Sequence, residues 1–355
     1  MFAGSYDPAD VTFLLKRVSL APTVLAEKEA LIQSGQRHYS EMLSPETLPG
    51  EAYLELYRKA LARNGTRLAQ DIVNLAAALD RQSAGRPEIV LASLARAGTP
   101  IGILLARALR RRGRIAAHYS ISIIRDRGID RQALAHIAAR HDPADTVFVD
   151  GWTGKGAIAG ELRASLAGTG FAPTLVVVAD PAGRADLAAT DDDYLIASGL
   201  LNGIVSGLVS RSILNAAVVG PGDFHACVYF GEHEPHDLSR AFVAEIDSLA
   251  CHATPQPILA DPERQRALAA GCDAMVQSVM AATATKDRNR IKPGIAESTR
   301  ALLRRLPERL FVRDFDDPDV AHLLHLAATK ALHVARLPSG SRYRAVAVIK
   351  SVGEG

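Results

Sequence analysis

The sequence predicts an α/β protein in which a parallel sheet is flanked by helices. Between residues 88 and 180, short runs rich in β-branched residues alternate with helical segments of about a dozen residues. The runs EIVLASL, TVFVD and PTLVVVAD are largely apolar, as strands covered on both faces are. Ligands of such sheets bind at the carboxyl ends of the strands, so the loops that follow them are the first candidates for a site.

The size and charge of the chain narrow the classes of function. A length of 355 residues suggests about two or three structural units. The 41 basic and 39 acidic residues give a net charge of +2, so overall charge indicates no nucleic-acid or membrane partner. No secretion signal is found, nor an uncharged apolar stretch of about 18 residues. We therefore expect a cytoplasmic protein.

The three cysteines indicate no structural cross-link. Cys227, Cys251 and Cys272 are odd in number and lack CxxC spacing. Neither a disulfide framework nor a thiolate zinc site is predicted, and no other metal-ligand set is identified. This usage is typical of a reducing cytoplasm.

Changes in composition predict three segments. Residues 1–85 hold a turn-rich opening and a packing helix, and residues 86–284 hold the α/β region and a mainly helical extension. That extension contains one strand-like piece, ACVYFGE, at 226–232. The basic segment KDRNRIKPG marks a boundary, after which residues 285–355 are expected to form a small α/β domain.

The loop after strand 88–94 has the composition of an anion site. Glycine lets the backbone approach a ligand, backbone N–H groups point towards it, and Arg96 adds a delocalised cation. An ordinary strand-to-helix turn is the alternative. The predicted binding residues are Arg96, Ala97, Gly98 and Thr99.

The loop after strand 146–150 is a second anion candidate. Asp150 stands at the end of the strand, and the loop then runs into a helix whose dipole favours a negative charge. The loop offers glycine N–H groups, a hydroxyl and a cation. Its predicted binding residues are Thr153, Gly154, Lys155 and Gly156.

This second loop is not a Walker A motif. The Walker pattern is GxxxxGK[ST], whereas Gly151 and Gly154 are too close here and Gly156 replaces the Mg-binding hydroxyl. The acid Asp150 also precedes residues 153–156, which we call the cradle. Another candidate anion-binding loop lies two strands earlier. Two such loops suit a sugar with phosphates at both ends.

Together, the two loops resemble those of the type I phosphoribosyltransferases. The resemblance implies that Asp150 binds ribose hydroxyls, that loop 153–156 holds the 5′-phosphate of phosphoribosyl pyrophosphate, and that loop 96–99 holds its pyrophosphate with Mg²⁺. Gly151 stands where family members usually carry a second acid. The implied fold is the parallel sheet of that family.

The activity implied by this resemblance is phosphoribosyl transfer to a base or another small acceptor. Mg²⁺ and Arg96 would stabilise the departing pyrophosphate, Asp150 would hold the ribose, and a nucleophile of the acceptor would attack C1′. The acceptor itself is not identified by the sequence.

A third loop, after strand 114–124, carries Arg125 and Arg127. Transferases of this kind commonly close a mobile loop there to exclude water from the transition state. We take both arginines as candidate catalytic residues. The alternative is that they face solvent.

A wider resemblance covers most of the chain. The segments FAGSYDPADVTFLLK, HYSISIIRDRGID and DRNRIKPGIAESTRALLRR resemble a bacterial family encoded beside tellurite-resistance and stress genes. Its members are described either as phosphoribosyltransferases with an RNA-binding tail or as the cysteine protease StiP. The first description implies synthesis of a nucleoside-like metabolite in a stress response.

The tail resembles the RNA-binding fold of ribosomal proteins and pelota. A helix N-terminus that begins with glycine and is preceded by basic residues can bind a phosphate group. The alternatives are that the tail presents a substrate or pairs two subunits into a homodimer. The predicted RNA-binding residues are Arg288, Arg290, Lys292, Gly294, Glu297 and Arg300.

Two other functions remain open. His225 and Cys227 lie two residues apart in a strand-like run, so they share a face and could form a thiol–imidazole pair of a cysteine peptidase. A buried packing cysteine is the structural alternative. The third possibility is a non-catalytic nucleotide or RNA sensor in which the incomplete acid pair has lost turnover.

Overall fold

The structure is a computed structural model that describes residues 1–338 and 341–351. Its strands in chain order are β1 (Thr12–Phe13), β2 (Lys16–Arg17), β3 (Ile89–Leu94), β4 (Ala116–Ile121), β5 (Ile123–Ile124), β6 (Gly128–Ile129), β7 (Thr146–Trp152), β8 (Leu175–Ala179), β9 (Leu187–Thr190), β10 (Ala226–Cys227), β11 (Ile291–Pro293), β12 (Pro307–Val312), β13 (His333–Arg336) and β14 (Ala345–Ile349). Its α-helices are α1 (Leu25–Gln33), α2 (Glu51–Gln82), α3 (Gly98–Arg111), α4 (Arg131–Ala138), α5 (Ala157–Leu166), α6 (Ser239–Ala250), α7 (Pro262–Ala282), α8 (Ile295–Arg304) and α9 (Ala321–Thr329).

The predicted parallel sheet is confirmed. Six strands lie in the order β1-β4-β3-β7-β8-β9, and every neighbouring pair is parallel. Alternate residues of the central strands enter two separate hydrophobic clusters: Leu91 and Val149 lie in one, Val90 and Phe148 in the other. Because side chains on both faces of the sheet are buried, the sequences of these strands are nearly continuous apolar runs.

Helices cover both faces of this sheet. α2, α3 and α6 pack together on one face, and α4 and α5 lie on the other. In α2, Leu68, Ile72, Leu75 and Leu79 follow one another at helical spacing and are all buried, so one side of the helix is apolar. In the described part of the chain, no helix is long and apolar enough to cross a membrane.

The prediction of a mainly helical stretch after residue 190 is wrong for its first part. Residues 191–238 are mostly irregular, with short 3₁₀ turns and the strand β10. The strand-like piece 226–232 forms a strand only at Ala226–Cys227, because its partner β2 is itself two residues long. Many side chains of this stretch are buried by contacts with distant segments, which outweigh local helical preference.

The expected small C-terminal domain is present. Four strands form a sheet in the order β11-β14-β12-β13, in which only the β12–β13 pair is parallel. α8 packs against β14 and α9, while α7 adds Cys272, Val276 and Val279 to the other hydrophobic cluster of this sheet. The domain boundaries drawn from composition stay a prediction.

Candidate functional site

A cavity of about 340 Å³ lies at the carboxyl ends of β3 and β7. Its walls come from the loops after these strands, from α1, and from β11 and α8 of the C-terminal domain. The predicted site residues that line it are Arg96, Ala97, Arg125, Asp150, Thr153, Gly154, Lys155, Gly156, Lys292, Glu297 and Arg300. The predicted residues outside its wall are Gly98, Thr99, Arg127, Arg288, Arg290 and Gly294.

Arg96, the predicted pyrophosphate ligand, is held by the protein itself. Its guanidinium lies 2.5 Å from a carboxylate oxygen of Glu46 and donates to the carbonyl oxygen of Val209. Burial alone would raise the pKa of Glu46, but the nearby Arg96 and Arg304 guanidiniums hold that pKa below its ordinary value. Arg96 therefore already has a charged partner.

The glycine of the first loop is required by packing. A β-carbon on Gly98 would lie 2.2 Å from the carbonyl oxygen of Val149, so α3 could not begin this close to β7 with any other residue. Thr99 Oγ1 lies 2.8 Å from Ser120 Oγ, and Thr99 is fully buried. Both residues thus support the fold and do not reach the cavity.

The polar groups at the end of β7 are also engaged. Asp150 Oδ1 accepts a hydrogen bond of 2.8 Å from the backbone N–H of Gly151. Burial raises the pKa of Asp150 to about 6, although the Arg300 guanidinium opposes the shift. Thr153 Oγ1 donates to Asp180 Oδ1 at 2.5 Å. The acid and hydroxyl of the predicted cradle therefore have partners in the protein.

The rest of the cradle docks the C-terminal domain. The Lys155 ammonium donates to the carbonyl oxygens of Arg288 and Ile291, at 2.5 and 3.1 Å. The Tyr343 hydroxyl donates to the carbonyl oxygen of Gly154 at 2.6 Å. The pattern that resembles a phosphate cradle thus serves as an interdomain contact.

Only two acids, Asp150 and Glu297, line the described part of this cavity. Within residues 1–338 and 341–351, no group of three or more His, Cys, Asp or Glu side chains could hold a metal ion. Of the acids in the cavity wall, Asp150 has the raised pKa described above, and Glu297 lies 2.5 Å from Arg300. Mg²⁺ and phosphoribosyl pyrophosphate stay predictions.

Arg125 and Arg127 lie on the β5–β6 hairpin. Arg125 lines the cavity, stacks near the ring of Tyr39 and contacts Asp126 at 3.0 Å. Arg127 faces away and lies 3.3 Å from Glu41. The structure thus brings only one of the two to the cavity.

The predicted RNA-binding residues lie in two different places: some lie outside the cavity wall, and the others line the cavity. Arg288 lies 2.5 Å from Asp273, and Arg290 is paired with Glu308. At the start of α8, where a phosphate was predicted to bind, the carboxylate of Asp193 already accepts a hydrogen bond from the backbone N–H of Ile295 at 3.0 Å.

The remaining three, Lys292, Glu297 and Arg300, face the cavity. The six residues therefore do not form one exposed surface, and RNA binding stays a prediction.

Several cations of the cavity were missed by sequence reasoning. They are Lys28 on α1, Arg211 in the irregular segment, and Arg304 and Arg305 at the end of α8. Burial, and then neighbouring cations, lower the pKa of Lys28 to about 6. These residues come from distant parts of the chain and share no motif, so no signal in the sequence could have grouped them.

The thiol–imidazole pair is not assembled in this conformation. Cys227 is fully buried, and burial raises the pKa of its thiol to about 12 against the influence of Arg17 and Arg96. The His225 ring is instead joined to Ser122 Oγ through Nδ1, at 2.8 Å. In the described residues, no hydrogen bond links this ring to the thiol.

The cysteines should differ sharply in reactivity. Cys251 is exposed, whereas Cys227 and Cys272 are buried and burial raises the pKa of both thiols. Because the thiolate is the reacting form, we expect iodoacetamide at pH 8 to alkylate Cys251 in the native protein faster than the other two. Peptide mass spectrometry reads the result, with urea-unfolded protein as the control. Rapid labelling of Cys272 would contradict the burial described here.

Solved structures that resemble this chain include purine phosphoribosyltransferases. The hypoxanthine phosphoribosyltransferase of Trypanosoma cruzi is 16% identical, with a TM-score of 0.31, over 37% of this chain and 82% of that one. The HGPRT-ase from Leishmania tarentolae in complex with GMP is 13% identical, with a TM-score of 0.29, over 36% of this chain and 77% of that one. Likeness at this level says nothing about activity.

Sequence matches to whole families are more extensive. Residues 4–247 match a family described as "Tellurite-like stress resistance cysteine protease StiP", and residues 270–351 match the PELOTA RNA binding domain. The "Cysteine protease StiP" of Acinetobacter baylyi is 42% identical over 368 residues, which cover 100% of this chain and 96% of that protein.

These matches overturn the predicted phosphoribosyltransferase. The main functional prediction, its enzyme class and the transferase description are wrong, and the cysteine peptidase kept as an alternative agrees better with the relatives. The physical reason lies in the loops, whose glycine, lysine and arginine groups serve packing, domain docking and ion pairing. By its family match and its full-length relative, the chain belongs to the family described as tellurite-like stress resistance cysteine protease StiP.

Proposed function

We propose that this protein is a thiol-dependent peptidase whose nucleophile is Cys227. The observation that carries the proposal is positional: of the three cysteines, only Cys227 lies within residues 4–247, the part that matches the StiP family. Cys251 and Cys272 follow that part. A full-length relative that bears the name cysteine protease supports the same reaction class.

His225 is the proposed base. Its ring is held by Ser122 through Nδ1, and its backbone N–H donates to Asp130 Oδ2 at 2.6 Å. Burial lowers the pKa of His225, against the influence of Asp130, so the ring is neutral and able to accept a proton. A neutral imidazole two residues from a thiol has the composition of a catalytic pair.

The reaction follows from these groups. His225 takes the thiol proton, the thiolate attacks the peptide carbonyl carbon, and the C–N bond breaks as the amine receives the proton from His225. Water then hydrolyses the thioester, which returns the thiol and releases the carboxylic acid. The thiolate must form first, and the buried thiol described above is protonated.

We infer that catalysis needs β10 to move. The strand pairs with β2 over only two residues, so few backbone hydrogen bonds oppose its displacement. Movement that exposes Cys227 would also remove the desolvation that raises the pKa of the thiol. The described conformation is then the resting form of the enzyme.

The test is a comparison of cysteine variants on a peptide mixture. Under reducing conditions, a digest of a bacterial proteome is incubated with the protein, and new cleavages are read by mass spectrometry. We expect Cys227→Ser to lower cleavage by about a thousandfold or more, and Cys251→Ser to cleave like the wild type.

Thermal melting checks that both variants are folded. Unchanged cleavage by Cys227→Ser, or no cleavage by the wild type, would contradict the proposal.

A further inference from the structure

The cavity at the carboxyl edge of the sheet carries an excess of positive charge. Among its lining residues, Lys28, Lys155, Arg211, Lys292 and Arg304 have no carboxylate within 4.0 Å in the part of the chain that the structure describes. Asp150 and Glu297 also line it, and Glu297 is already paired with Arg300. The cavity wall therefore carries more cations than acids, although Glu46 lies near Arg211 and Arg304.

Some donors in this wall lack an acceptor. The Nε atoms of Arg211 and Arg304 are inaccessible to solvent and make no hydrogen bond within residues 1–338 and 341–351. Among the described residues, the hydrogen bonds of Arg304 go to Asn202, and those of Arg211 go to backbone carbonyls. Buried donors are almost always satisfied in folded proteins, so these two indicate a missing acceptor.

The cations also repel one another. Burial and the neighbouring Arg211 and Arg305 lower the pKa of Lys28, and burial and Arg305 lower that of Lys292 to about 8. Lys28 is faced by Arg211, Arg304, Arg305 and the acid Glu29, and its ammonium donates to Ser44 Oγ. An anion placed among these groups would relieve the repulsion and draw protons onto the lysines.

We infer that this cavity binds a compact oxyanion with two or more negative charges, of the diphosphate class, between α1, Arg211 and α8. Guanidiniums and ammoniums that converge from several directions match the oxygens of phosphoryl groups better than one planar carboxylate. Lys28 and Arg211 precede the C-terminal domain in the chain, whereas Lys292 and Arg304 belong to it, so the anion bridges these two parts. A cavity volume of about 340 Å³ suits a small molecule.

The inference is independent of the proposed peptidase. Cys227 does not line the cavity, and no step of peptide cleavage uses the anion. A bound oxyanion would hold the C-terminal domain against α1 and the irregular segment, because it neutralises Lys292 and Arg304 on one side and Lys28 and Arg211 on the other.

The test is calorimetric titration of the full chain with inorganic diphosphate at pH 7.5. We expect saturable binding, at least about tenfold weaker binding of inorganic monophosphate, and proton uptake seen as a dependence of the heat on buffer ionisation. A nucleoside diphosphate forms a third arm. Tighter binding of it than of inorganic diphosphate assigns the site to organic phosphates, and weaker binding assigns it to the inorganic ion.

Matched variants locate the site. Lys292→Gln removes an ammonium that makes no hydrogen bond in the described structure, so the fold should persist while diphosphate binds about tenfold more weakly. Arg304→Gln is the second variant. Arg58→Gln removes an exposed cation of α2 and should bind like the wild type. Absence of saturable binding at millimolar diphosphate, or equal weakening in Arg58→Gln and Lys292→Gln, would overturn the inference.

Discussion

Replacing Glu46 with alanine should lower the free energy of unfolding by about 3–5 kcal/mol, because it leaves a buried charge without its partner. The side chains of Glu46 and Arg96 are both only 6% exposed and lie 2.5 Å apart. Glu46 also accepts from the backbone N–H of Gly203 at 3.0 Å and lies near Arg304. Urea unfolding followed by circular dichroism measures the loss.

Two variants make this prediction specific. Glu51→Ala breaks a surface pair with Arg58. The Glu51 side chain is 74% exposed, so this variant should lose far less stability than Glu46→Ala. Glu46→Gln keeps an acceptor for Gly203 and removes only the charge. A loss below about 1 kcal/mol in Glu46→Ala would mean that the buried pair does not form.

The same pair gives stability a pH dependence. Since the folded pKa of Glu46 lies below its ordinary value of 4.5, its contribution is present above pH 4.5 and is lost as the pH falls through the folded pKa. Glu46→Gln should therefore flatten the acid limb of the stability curve.

Replacing Gly98 with alanine should lower the free energy of unfolding by about 3 kcal/mol or more. The new β-carbon would lie 2.2 Å from the carbonyl oxygen of Val149 and 3.1 Å from the Cα of Asp150, both backbone atoms that cannot rotate away. The first turn of α3 must then move off β7, which also disturbs the wall that carries Arg96. Thermal and urea unfolding measure the effect.

Gly160 provides the matched control. It lies in α5, and a β-carbon there would meet nothing within 4 Å. Gly160→Ala should therefore stabilise the protein by roughly 0.5–1 kcal/mol, the usual gain from glycine to alanine inside a helix. Equal effects of the two substitutions would show that α3 does not begin as close to β7 as described.

Part of the candidate site could be predicted from sequence. Loops after strands of a parallel sheet converge at one edge, and Arg96, Asp150 and Lys155 do meet at one cavity there. What spacing could not predict is the use of these groups. Lys155 contacts backbone carbonyls of the C-terminal domain, and Arg96 pairs with an acid 50 positions earlier in the chain.

The proposed catalytic pair, Cys227 and His225, also shows what residue spacing can and cannot predict. Alternation along a strand predicts that His225 and Cys227 share a face, and the relatives support the reaction class. Spacing could not reveal that Cys227 is fully buried or that Ser122, from another strand region, holds the His225 ring. The conformational step that we propose rests on these tertiary facts.

The sequence by itself determined the parallel sheet, the helices on its two faces and the small C-terminal domain, because apolar periodicity is a local property that reports which faces are buried. Tertiary structure decided which polar groups are free to act. Whether Arg96 or Lys155 is available, and whether Lys28, Arg211 and Arg304 share a cavity, depends on partners far away in the chain. Charge and hydrogen bonding act through space, so residue spacing alone does not specify them.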